Sequence, residues 1–86
     1  MINIIIVDDH AVVRKGVIQM IADNLNFYQI DEASSGNELL EKVKTNKYDI
    51  VILDISMPGK DGLDTIKELR QISPDTPVLV FSIYPE

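Results

Sequence analysis

Eighty-six residues, 45% hydrophobic and 26% charged, make at most one small domain with a modest core. The formal charge of −6 opposes binding to nucleic-acid phosphates, which requires clustered Lys and Arg, and the eight basic residues are scattered. The lack of cysteine excludes disulfides, thiolate catalysis and Cys-based zinc sites.

The longest apolar runs are strand-sized, so no membrane span is expected, and with no signal-peptide pattern at the start a cytosolic location is the default. The first run, Ile2 to Val7, is nearly all β-branched and apolar, as a central parallel strand buried on both faces requires. After Asp8-Asp9-His10 the period changes. Val13, Val17, Met20 and Ile21 recur at helical spacing, with Arg14, Lys15, Gln19 and Asp23 on the other side, which predicts an amphipathic helix fading at Asn24 to Asn26. Phe27 to Ala33 alternates and reads as a second strand.

Ser35 and Glu38 have the S-x-x-E spacing of a capping box, opening a helix that carries Leu39, Leu40 and Val43 and ends near Asn46. The third strand, Ile50 to Leu53, runs into Asp54 and then Met57-Pro58-Gly59, a turn that cannot continue a strand. A third helix presents Leu63, Ile66 and Leu69. The loop Ser73 to Pro77 carries two prolines, and Val78 to Phe81 is a fourth strand terminated by Ser82. The order β-α-β-α-β-α-β, with right-handed crossovers, predicts a doubly wound parallel α/β sheet with helices on both faces.

In such a sheet, ligands and reactive groups gather outside the carboxyl ends of the strands, so Asp8, Asp9 and Asp54 are expected to converge there. Asp8 and Asp9 alone read equally well as acids favouring a helix N-terminus. Adding Asp54 changes the balance, because like charges at ~4 Å repel by about 1 kcal/mol in water and several-fold more in a partly dry site. Three acids in one crevice either raise a pKa or bind a cation. An all-oxygen ligand set selects a hard ion, and Mg²⁺, which takes one or two carboxylates with waters and a phosphate, is preferred over Ca²⁺. With its charge screened, Asp54 is placed to act as a nucleophile toward phosphorus. Ser82 is either a donor to a phosphoryl oxygen on Asp54 or a polar residue where a buried strand meets solvent. His10 reads as a loop residue, since a lone His beside two acids is weak evidence for a ligand.

Asp8-Asp9 after the first strand, Asp54-x-x-Met57-Pro58-x-x-x-Gly62 after the third and Val78 to Ser82 as the fourth together resemble a receiver domain of a two-component response regulator, over all 86 residues. The resemblance implies the flavodoxin-like, CheY-like strand order 2-1-3-4-5, here with the last elements missing, so that residues 1–86 are the N-terminal part of a receiver. It implies that Asp54 accepts a phosphoryl group from a phosphohistidine on a sensor histidine kinase. Asp9, Asp54 and the Ser56 backbone carbonyl would ligate Mg²⁺, with Asp8 assisting through water and Ser82 as the switch hydroxyl. The domain would then be a self-phosphorylating acceptor and not an enzyme. The stretches Asp8 to Gly16 and Ser82 to Glu86 are similar to regulators with a LuxR-type helix-turn-helix, which implies transcription control and DNA contact only through a further output domain. The Lys and aromatic switch residue of the family's fifth strand have no counterpart here, and Lys60 and Lys67 lie in the wrong segments to replace them. An unpaired outer edge on the fourth strand predicts a homodimer.

The competing reading is a module of the same fold that binds a cation or a protein without phosphorylation. Dehalogenase-type phosphatases need a second acid where Ser56 stands, and nucleotide binders need a Gly-rich turn where Asp8-Asp9-His10 stands, so both are disfavoured.

Overall fold

The computed structural model describes residues 1–55 and 62–81. Seven elements follow in order: β1 (Ile2–Val7), α1 (Ala11–Asn24), β2 (Tyr28–Ala33), α2 (Gly36–Thr45), β3 (Ile50–Asp54), α3 (Gly62–Ile72) and β4 (Val78–Phe81). The four strands form one parallel sheet of order β2-β1-β3-β4. This is the doubly wound arrangement expected from the alternation of periods, with β1 at its interior.

The two-residue period of β1 divides the interior. Ile5 and Val7 face one side with Val51, Leu53, Leu39, Leu40, Tyr48 and Leu69, beneath α2 and α3. Ile4 and Ile6 face the other with Ile52, where Val17, Ile18 and Ile21 of α1 pack against them. Among the described residues one face thus carries two helices and the other a single helix. No residue of α1 is fully buried. Beside α1, the apolar surface dips into a cavity of about 470 Å³ lined by Met20, Ile21, Leu25, Ile52, Leu79 and Phe81.

Local sequence explains how α2 begins. The capping box forms: Ser35 Oγ accepts from the Glu38 N–H at 3.1 Å, while the Glu38 carboxylate reaches back to the Ser34 N–H at 2.8 Å and its hydroxyl at 3.0 Å. The reciprocal bond lands one residue earlier than the simplest box would have it. Gly36 lies so close to α3 that a Cβ there would sit 2.3 Å from Thr65 Oγ1, and at Gly62 a Cβ would sit 2.8 Å from the Ile55 Cα.

Three expectations are corrected. Phe27 is not in β2: it has φ of 57° and a side chain turned to solvent, so the chain enters the strand through a left-handed residue. Met20, expected on the inner stripe of α1, is exposed, and Ile18 packs inward instead. Leu63, expected to face inward from α3, is exposed, and Thr65 takes the buried position.

Candidate functional site

The site follows from strand register. β1 and β3 pair in parallel with Val7 opposite Leu53, so the next residues, Asp8 and Asp54, reach the same level at the carboxyl end of the sheet. Both carboxylates are fully buried, whereas the Asp9 side chain is 29% exposed. One ligand atom from each of Asp8, Asp9, His10 and Asp54 can be chosen so that all lie within 4.8 Å of one another. The predicted convergence of the three acids is what the structure shows.

His10 is the residue the sequence reading missed. Its Nδ1 lies 2.8 Å from Asp8 Oδ1, 2.9 Å from Asp9 Oδ1 and 4.0 Å from Asp54 Oδ2. Its backbone N–H also donates to Asp8 Oδ1 at 2.9 Å, an Asx turn that swings the imidazole over the crevice. The Asp8 hydrogen bond, followed by the charge of Asp9, raises the His10 pKa above its ordinary value. The signal available in the sequence was the i, i+2 spacing of Asp8 and His10, which permits this turn. Asp8 and Asp9 also lie just before the N-terminus of α1, whose N-cap is His10 with no side-chain cap bond, so the two acids sit at the helix's positive end as well as in the crevice.

A second unforeseen residue stands behind the acids. Arg14, expected only on the polar side of α1, donates through Nη1 to the Asp8 carbonyl and through Nε to Glu32 Oε1 on β2 at 2.9 Å. Ser56, Met57, Pro58, Lys60 and Ser82 lie outside the described residues.

The donor set fits a hard divalent cation. Asp8 Oδ1 receives two donors from His10, but its Oδ2 is buried with no hydrogen-bond partner among the described residues. A buried carboxylate oxygen left in this state is costly unless a cation or donor meets it. The raised His10 pKa reports the same thing from the other side, because the crevice favours positive charge.

The chain is similar to known proteins along its whole length. A model of the response regulator receiver domain matches residues 4–86. Response regulator GacA of Pseudomonas viridiflava is 37% identical over 86 residues, covering all of this chain and 40% of GacA. Transcriptional activator protein ExaE of Pseudomonas putida is 39% identical over 84 residues, 98% of this chain and 39% of ExaE. Among solved structures, response regulator TrrA of Thermotoga maritima in complex with Mg(2+)-BeF superposes with a TM-score of 0.88 at 36% identity, covering 98% of this chain and 71% of that one. TrrA in complex with histidine kinase ThkA gives 0.86 at 35% identity, over 100% of this chain and 72% of that one. The chain spans about 40% of the length of these curated relatives. Register, buried acids and relatives agree, and the chain belongs to the response regulator receiver domain family.

Proposed function

We propose that Asp54 is the phosphoacceptor of a two-component pathway and that its donor is a phosphohistidine on a sensor histidine kinase. The observation that carries this reading is the fully buried Asp54 carboxylate at the end of β3, within 4.8 Å of Asp8, Asp9 and His10 ligand atoms. A carboxylate oxygen of Asp54 attacks phosphorus, forming an O–P bond as the N–P bond breaks, and the electron pair stays on the kinase imidazole, which takes up a proton. The phosphoryl group ends on the protein itself, so the domain is an acceptor that assists its own modification and not an enzyme.

Asp9, Asp54 and the Ser56 carbonyl would hold Mg²⁺, with Asp8 acting through water; when bound, the ion supplies charge neutralisation for the phosphoryl oxygens. Ser82 would donate its hydroxyl to the phosphoryl group as the switch residue. Both serines are assigned by the family motif. Kinase docking is supported by the TrrA complex with ThkA, and a DNA-binding output in the same polypeptide by the likeness to ExaE, a transcriptional activator. Residues 1–86 form one unit, the first seven elements of a receiver. Cytoplasmic placement follows from family membership; among the described residues no helix is long and apolar enough to cross a membrane. Leu79, exposed at the apolar cavity, and Val80, exposed on the other face of β4, support a homodimer formed along that edge.

Beryllofluoride with Mg²⁺ tests the central assignment. Fluorine NMR should show a bound signal that Asp54→Asn abolishes. No bound signal, or one that survives the substitution, overturns the phosphoacceptor reading.

A further inference from the structure

We propose that Arg14, paired with Glu32, is a positioning residue that sets the cation affinity of the acid cluster through the peptide unit joining Asp8 to Asp9. The proposal rests on the reading above that the cluster holds Mg²⁺. The Asp8 carbonyl belongs to the planar unit between the two acids, so a donor that fixes this oxygen fixes the plane holding both Cα atoms and narrows the directions in which the two side chains leave the backbone. That donor is Arg14 Nη1.

The surroundings make this carbonyl depend on the guanidinium. β1 remains on β2 through the Asp8 N–H, which donates to Ala33 O at 3.0 Å. In this register the Asp8 carbonyl would next meet the Ser35 N–H, and among the described residues that bond does not form. The strand pairing therefore frays where the acids begin, and Arg14 bridges the gap from α1 to the end of β1 and to Glu32 on β2. Its side chain is only 18% exposed, and its own N–H closes the first helical turn on the His10 carbonyl at 3.0 Å. The fork geometry of a guanidinium makes this two-ended bridge, which a lysine ammonium cannot reproduce.

Charge alone would make Arg14 unhelpful, because a cation beside a cation site repels the incoming ion. Glu32, 2.9 Å from Nε, offsets that charge, so the pair holds the Asp8 carbonyl while adding little net field at the crevice. Positioning and charge consequently predict opposite signs. Removing Arg14 as a mere local charge would tighten Mg²⁺ binding; removing it as a positioning group weakens binding. Groups that orient ligands from behind typically contribute about 10- to 100-fold in metal affinity.

The experiment is calorimetric titration of the whole 86-residue chain with Mg²⁺, with circular dichroism melts run in parallel. Arg14→Met should bind about tenfold or more weakly. Arg14→Lys should fall between it and the wild type, and Glu32→Gln should also weaken binding. In the double variant Glu32→Gln should add nothing to Arg14→Met. Equal or tighter binding by Arg14→Met overturns the proposal, as does a lowered melting temperature with unchanged Mg²⁺ affinity. If Arg14→Met fails to fold, Arg14→Lys decides the question, because it keeps the charge and removes the two-ended bridge: weaker Mg²⁺ binding supports the proposal and unchanged binding overturns it. Absence of Mg²⁺ binding by the wild type overturns the metal reading itself and this inference with it, whereas wild-type binding with indifferent variants overturns this inference alone.

Discussion

Neutralising Asp54 should stabilise the metal-free protein while removing most of its response to Mg²⁺. Ligand atoms of Asp54, Asp8 and Asp9 lie within 4.8 Å of one another, and two unit charges at that distance repel by about 3.5 kcal/mol at an effective dielectric of about 20, or under about 1 kcal/mol in water. The Asp8 contribution belongs near the first figure because both groups are fully buried, and the Asp9 contribution near the second because its side chain meets solvent. Asn keeps the shape of Asp, and its amide can donate to a neighbouring carboxylate. Allowing for imperfect geometry of that bond, Asp54→Asn should gain roughly 1–3 kcal/mol, a rise of about 1 M or more in the urea midpoint. Because the His10 imidazolium partly offsets the carboxylates, the gain should be smaller near pH 6 than at alkaline pH, where His10 is neutral. Urea unfolding by circular dichroism, with and without Mg²⁺, provides the measurement. Wild-type stability should climb with the logarithm of Mg²⁺ concentration above its dissociation constant, and the variant curve should stay nearly flat. A destabilised variant in metal-free buffer, or one that keeps the full Mg²⁺ response, would refute the claim that these acids share one crevice.

Glycine substitutions separate open from crowded positions in thermal melts. Gly16→Ala, with nothing within 4 Å of the added Cβ on an exposed stretch of α1, should stabilise by up to about 1 kcal/mol, whereas Gly62→Ala, driven against the Ile55 backbone, should cost about 1–3 kcal/mol. Ser35→Ala should cost about 1 kcal/mol through the lost cap of α2. The Ser34 N–H, the largest cause, holds the Glu38 pKa below its ordinary value, so its contribution is complete above the ordinary Glu pKa and disappears as pH falls through the lowered one; Glu38→Gln should remove that acid-side loss from a stability–pH profile. Leu79→Lys, placing a charge on the β4 edge, should convert a dimer to a monomer in light scattering, and a wild type that stays monomeric across concentrations would count against edge pairing.

What the sequence revealed follows the strength of its local signals. The apolar runs of β1 and β3 were legible because a strand buried on both faces tolerates almost nothing else, and their terminal acids located the crevice before any geometry was known. The stripe on α1 was less legible. Among the described residues this helix lies alone on its face of the sheet, so burial there is graded, and Val17, Ile18 and Ile21 make contact while Met20 is exposed. Phe27 has the composition of a strand residue, and its left-handed backbone is imposed by the turn that brings the chain back beside β1, where its carbonyl accepts from the Ile2 N–H at 3.0 Å. His10 and Arg14 escaped notice for a common reason. Each acts through a contact with Asp8 created by the strand-to-helix junction, and neither belongs to a hydrophobic period. The assignments of Ser56 and Ser82 remain those of the motif alone.

The placement of β1 between β2 and β3 also bears on how the polypeptide assembles as it leaves the ribosome. The strand made first is flanked by the next two, and β4 then joins outside β3, so each later strand docks on an edge already available. No pairing has to be opened to admit a newcomer. Vectorial synthesis can therefore build the sheet outward from β1, with the acids after it waiting at the rim until β3 brings Asp54 to meet them.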